Sequence, residues 1–178
     1  MNDLANSCLA FSRKRMIDDY WPRLRTCAQS LSDEQIWWRP NDVSNSVGNL
    51  LSHLDGNLNQ WIVAAFEHRA DTRDRPAEFR ARSGPSREAL LDRLGVTMQH
   101  VGDILGRLTE ADLQATYHIQ GYTVNGLSAV YQVTEHFALH YGQVAYITKS
   151  LVGRNLDFTP ELDKTGRLEP SDDEKGKR

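Results

Sequence analysis

The sequence predicts an all-α protein, a four-helix bundle, on three observations. Four long segments place apolar residues every three or four positions, as a helix with one buried face does. One short stretch alternates in the manner of a strand, and 178 residues (20.2 kDa) suffice for a single core. The first segment, 4–31, carries Leu4, Cys8, Phe11, Tyr20, Leu24 and Cys27 at helical spacings, with Pro22 expected to kink or restart it. Ser32 with Gln35 three residues on fits a capping box for a short turn that contains Trp37 and Trp38 and ends before Pro40. The second long helix, 46–67, follows the capping residues Asn45 and Ser46 and aligns Leu50, Leu51, Leu54, Leu58, Trp61 and Ile62 on one stripe. Charge, Pro76, Gly84 and Pro85 make 70–86 a loop by composition. The third helix, 86–108, repeats Leu90, Leu94, Met98, Val101 and Leu105. Then come a helical turn at 109–113, a weak alternation around Gly121 and the fourth helix at 124–152. The bundle is expected to occupy 1–158, and 159–178 is polar enough to be read as a disordered tail.

Composition narrows the function. Net charge is −3, from 21 basic and 24 acidic residues, and the pI near 6.1 lacks the basic excess of a nucleic-acid binder, so no nucleic-acid partner is expected. No apolar run approaches the roughly 18 residues of a membrane span, and no basic segment leads into an apolar run near the N-terminus. A cytoplasmic protein without a membrane partner is the expectation. Cys8 and Cys27 form neither a disulfide framework nor a CxxC zinc site, so any metal must use other ligands.

The histidines offer such ligands. His136 and His140 are four residues apart, so on a helix they differ by only about 40° and can reach one point. His140 falls roughly 50° and His136 roughly 90° from the centre of the apolar face of their helix, flanking the core. His53 lies outside the leucine stripe, in a lane of small and polar residues with Ser46, Asn57 and Ala64. By spacing alone, these histidines read equally as metal ligands or as hydrogen-bonded residues at a helix edge. His68 and His100 keep charged company and are expected to face solvent, as is Glu135, and His118 is a candidate for contact with substrate. Because Glu135 precedes His136 instead of following it, the pair is not the HExxH of a metalloprotease.

Several stretches resemble the DinB-like superfamily of bacterial four-helix-bundle metalloproteins. Trp37-Trp38-Arg39-Pro40, then Ser44-Asn45-Ser46-Val47-Gly48-Asn49 leading to His53 and Asn57, and Gln60-Trp61 resemble a subgroup signature. The loop Arg73-Asp74-Arg75-Pro76-Ala77-Glu78-Phe79 and the closing segment His136 to Gln143, an HxxxH followed by Gly142-Gln143, resemble further family motifs. The likeness covers about residues 10–158. Val47 and Ser52 depart from the pattern, and neither is a ligand position.

The resemblance implies a divalent metal, zinc or nickel before iron or manganese, held by His53, His136 and His140 with open positions for water or substrate. It implies an enzyme that activates a water or a low-molecular-weight thiol for hydrolysis or S-transfer on a small molecule. The alternative is a non-catalytic metal- or ligand-binding bundle. Asn57 and Gln143 are candidates to hydrogen-bond the ligands or the bound nucleophile, and read equally as structural caps. Arg73, Arg75 and Arg82 read first as a solvated loop and second as charge for an anionic substrate. A homodimer is expected from the family habit and from the aromatic surface of Trp37, Trp38 and Trp61.

Overall fold

The computed structural model describes residues 3–158 and Gly166, so the tail read at 159–178 lies outside the described residues apart from that glycine. Four helical rods form the bundle. The first comprises α1 (Asp3–Arg13), a π-helical stretch Lys14–Tyr20 and α2 (Trp21–Gln29). Pro22 stands in the first turn of α2: it lacks an N–H and crowds the carbonyl one turn back, so the kink expected there takes the form of a widened π turn just before it. The turn α3 (Asp33–Ile36) has the capping box expected, with Ser32 Oγ accepting from Gln35 N and Gln35 Oε1 accepting from Ser32 N.

The second rod, α4 (Val47–Leu58), starts at Ser46 with a further capping box through Asn49 and passes into a second π stretch, Asn59–Ala64. The wider turn there buries four consecutive residues, Gln60, Trp61, Ile62 and Val63, which no single face of an α-helix accommodates. The third rod is α6 (Arg87–Arg107), capped by Ser86, and α7 (Glu110–Gln114) follows it. Strands β1 (Thr116–Ile119) and β2 (Tyr122–Asn125) pair antiparallel with Ile119 opposite Tyr122. Their two-residue turn puts Gln120 at φ 53 and Gly121 at φ 83, left-handed at both central positions as a tight hairpin requires. The fourth rod, α8 (Gly126–Val152), is capped by Asn125 and ends on Gly153 at φ 65.

The fold is therefore the helical bundle expected, with one small hairpin. α4 packs against both α6 and α8, while α1 and α2 close the ring against α6 and α8. Leu24, Leu50, Leu54, Ile62, Leu94 and Phe137 fill the shared core. Within the segment expected to be loop the structure places a helix, α5 (Arg75–Arg80). Asp74 caps it by accepting from Ala77 N, and Pro76 lies in its first turn, a start signal that the charged composition masked.

Arg39 and Asn49 of the motifs have a mechanical task. Arg39 donates to Ser44 O and to Ala81 O, while Asn49 Nδ2 donates to Glu78 O at 2.7 Å and to Ala81 O at 3.0 Å. These bonds dock α5 on the start of α4, and so bring Glu78 beside His53.

Candidate metal centre

His53 on α4 and His136 and His140 on α8 converge across the interface of those two helices. Four-residue spacing stacks His136 below His140, and helix packing supplies His53. His136 Nε2 stands 3.1 Å from His53 Nε2 and 3.1 Å from His140 Nε2. The burial follows the angles read from sequence: His140 is buried and His136, further from the apolar centre, is half-buried. His53 is buried because Phe79 of α5 covers its ring, 4.6 Å between centroids.

The partners of the outer ring nitrogens set the tautomers. His53 Nδ1–H donates to Glu78 Oε2 at 2.8 Å. Arg73 Nη2 lies 3.0 Å from the same Nδ1, but a guanidinium only donates, so both N–H groups converge on Glu78 Oε2. His140 Nδ1–H donates to Gln143 Oε1 at 2.8 Å, the role considered for Gln143. With their protons on Nδ1, His53 and His140 both direct Nε2 lone pairs at His136 Nε2. That atom carries one proton or one lone pair and so satisfies at most one neighbour, leaving at least one lone pair facing another.

A cation among the three nitrogens removes this conflict. Two nitrogens each about 2.1 Å from a shared ion stand roughly 3.0 to 3.4 Å apart at octahedral to tetrahedral angles, which the 3.1 Å separations match. The group is all-imidazole among the described residues, and the residues present fit a divalent ion.

Electrostatics agree with neutral ligands. Burial, then the charges of His140, His53, Arg73 and Arg75, push the His136 pKa down to about 3 from an ordinary 6.5. Burial lowers that of His140 against the opposing effect of its hydrogen bond to Gln143. For Glu78, burial opposes ionisation, but hydrogen bonds from Arg73 and His53 and their charges outweigh it and hold its pKa below the ordinary carboxylate value.

A stability profile follows for the metal-free protein. Below pH 6.5 the unfolded chain protonates His136 while the folded chain resists until about pH 3, so folding is progressively disfavoured across that window as pH falls. The urea midpoint of metal-free protein should drop from pH 7 to pH 5, and His136→Gln should flatten that slope.

Sequence reading missed the pair behind His53. Arg73, expected first in a solvated loop, has a side chain only 5% exposed; it donates to Glu78 Oε1 at 2.7 Å and to Gln60 Oε1 at 2.8 Å. Arg75 and Arg82 are exposed, Arg75 lying over the Phe79 ring. Asn57 lies close to the site but makes no hydrogen bond to a histidine among the described residues; its Oδ1 is buried without a partner. His118 is exposed and bonded to Thr123, away from the trio, while His68 and Glu135 face solvent. His100 is half-buried against Glu67 at 2.9 Å, which corrects its assignment to open solvent.

Beside His53 and His136 opens a cavity of about 540 Å³ walled by Asn57, Trp61, Tyr122 and Gln132. The hairpin tip roofs it, with Gln120 Oε1 accepting from Trp61 Nε1 at 3.1 Å. A second cavity, about 570 Å³, lies behind the Arg73–Glu78 pair between Trp37, Asp55 and Asp71.

A family model described as the DinB superfamily matches residues 16–144. The fold is similar to that of a DinB-like protein from Bacillus subtilis, at a TM-score of 0.61 and 17% identity over 84% of this chain and 93% of that one. It is also similar to a conserved protein from Enterococcus faecalis, at a TM-score of 0.62 and 18% identity over 85% of this chain and 96% of the other. No curated protein matches the chain.

Proposed function

The chain belongs to the DinB superfamily, and we propose that it is a metal-dependent enzyme acting on a small molecule by hydrolysis or by S-transfer from a low-molecular-weight thiol. The observation that carries this reading is the convergence of three imidazoles, two of which, His53 and His136, line an open cavity. A structural site closes its coordination sphere with protein ligands, whereas three ligands beside a cavity leave room for a reactant.

A divalent ion, when bound, supplies Lewis-acid chemistry that lowers the pKa of a coordinated water or thiol. The chain's own groups do the rest. Glu78 and Gln143 hold protons on the Nδ1 atoms of His53 and His140, which keeps both Nε2 lone pairs aimed inward. Arg73 compensates the Glu78 carboxylate, and Phe79 with the hairpin tip limits water at the ligands. An all-imidazole set suits zinc or nickel over the harder ions, with iron or manganese the lesser choices. Two cysteines without a disulfide, and no described helix long and apolar enough to cross a membrane, support a cytoplasmic setting.

Metal analysis of natively purified protein, followed by parallel screens for thiol conjugation and for ester or amide hydrolysis, tests the proposal. One bound divalent ion per chain and at least one turnover abolished by chelation are expected. A metal-loaded protein inert in every screen would favour the non-catalytic binding bundle.

The homodimer is also proposed, on a different surface from the one expected. Trp61 is buried and Trp37 donates to Pro85 O, so only Trp38 of the three tryptophans presents much surface. Exposed Tyr131, Leu139 and Tyr146 instead lie along α8. Light scattering at high micromolar concentration should give twice the chain mass; the chain mass would refute pairing.

A further inference from the structure

The cavity beside the histidines carries three buried polar atoms without hydrogen-bond partners among the described residues: Asn57 Oδ1, Gln132 Oε1 and His136 Nδ1. Buried polar atoms are normally paired, so each of these calls for an explanation. Two of them are of complementary chemistry, although they are not hydrogen-bonded to each other. Gln132 lies one turn before His136 on α8; its Oε1 is an acceptor, and an inward-facing Nε2 lone pair leaves a donor on His136 Nδ1. Asn57 has no such counterpart. It sits one turn after His53 on α4 and is 3% exposed, and two of the donors lining the cavity are bonded elsewhere, Arg73 to Glu78 and Gln60 and Trp61 to Gln120.

The rest of the wall is aromatic and apolar on one side. The rings of Trp61 and Tyr122 stand 6.2 Å apart along it, and Val124 continues the surface. The volume, about 540 Å³, suits a small organic molecule.

We propose that this cavity binds a substrate carrying a carboxamide-type N–H on a flat apolar body, with Asn57 accepting the N–H beside the atom that faces the three histidines. The inference rests on the metal centre proposed above and narrows its substrate class. Asn57 thereby becomes a specificity-determining residue. An ester or an N-alkylated amide of the same shape leaves its oxygen unsatisfied, and sites built to accept a hydrogen bond discriminate strongly against analogues lacking the donor.

Benzohydroxamate tests this on metal-loaded protein, because its oxygens chelate divalent ions, its ring suits the Trp61–Tyr122 wall and its N–H can be blocked by a methyl group. Calorimetry should show benzohydroxamate binding at least about tenfold tighter than N-methylbenzohydroxamate. Asn57→Leu, with the same heavy-atom branching, should retain stoichiometric metal yet bring that ratio within about twofold of unity, mainly by weakening the N–H compound. Gln132→Leu should leave the ratio in place. Equal affinities in the unsubstituted protein, or a ratio unchanged by Asn57→Leu, would overturn the inference while leaving the metal centre standing. A protein that takes up neither metal nor hydroxamate would overturn both.

Discussion

Replacing His136 by alanine is expected to lower metal affinity by more than about 100-fold and to remove any metal-dependent turnover. His136 Nε2 is the nearest neighbour of both other ligand nitrogens, so its loss leaves His53 and His140 as a two-point site spanning two helices. The bundle itself should survive. His136 is half-buried and lies beside the apolar seam, whose centre is held by Val133, Phe137 and Val144. Dialysis against a metal buffer with elemental analysis reads the effect, and circular dichroism confirms the helices. His100→Ala is the matched control, because His100 bonds Glu67 on another face of the molecule. Retained stoichiometric metal in His136→Ala would remove the basis of the proposed centre.

Glu78→Ala should be the most damaging change outside the three histidines. It deletes the acceptor of His53 Nδ1–H and leaves the Arg73 guanidinium, 5% exposed, without its carboxylate beside the site. Loss of a partner behind a ligand typically costs about 10- to 100-fold in metal affinity. Breaking a buried ion pair adds a stability cost of about 3 kcal/mol. Glu78→Gln keeps an acceptor and should lose less affinity.

Gly56→Ala attacks the same contact from the other side. A β-carbon at position 56 would collide with Glu78 Oε1, so the carboxylate must leave its place although every ionisable group remains. A fall in metal affinity in Gly56→Ala parallel to that in Glu78→Ala would separate the positioning of Glu78 from the general effect of its charge. Unchanged affinity in both variants would show that His53 needs no support from this loop.

These two sites differ in how far sequence exposes them. His136 and His140 are visible because a four-residue spacing on a periodic helix is local information, and His53 stands out from its leucine stripe. The bundle is legible for the same reason, since one buried face repeats along each rod. Glu78 and Arg73 reach His53 across 25 and 20 residues through a segment whose charge and prolines resemble solvated loop. Their burial depends on Asn49 and Arg39 tying that segment to α4, a tertiary arrangement with no periodic trace in the sequence. The capped start at Asp74 with Pro76 was the one local sign of α5. The tryptophans show the converse error. As composition they suggested an interface, but Trp61 is buried under the hairpin and Trp37 is bonded to Pro85, so residue counts gave no guide to which ring faces outward.

X-ray absorption at the metal edge of the loaded protein tests the central claim most directly, because it counts and identifies ligands independently of activity. The account predicts three imidazole nitrogens at about 2.0 to 2.1 Å, with the remaining coordination completed by light atoms exchangeable with added ligand. A shell containing sulfur from Cys8 or Cys27, or fewer than three imidazoles, would contradict it.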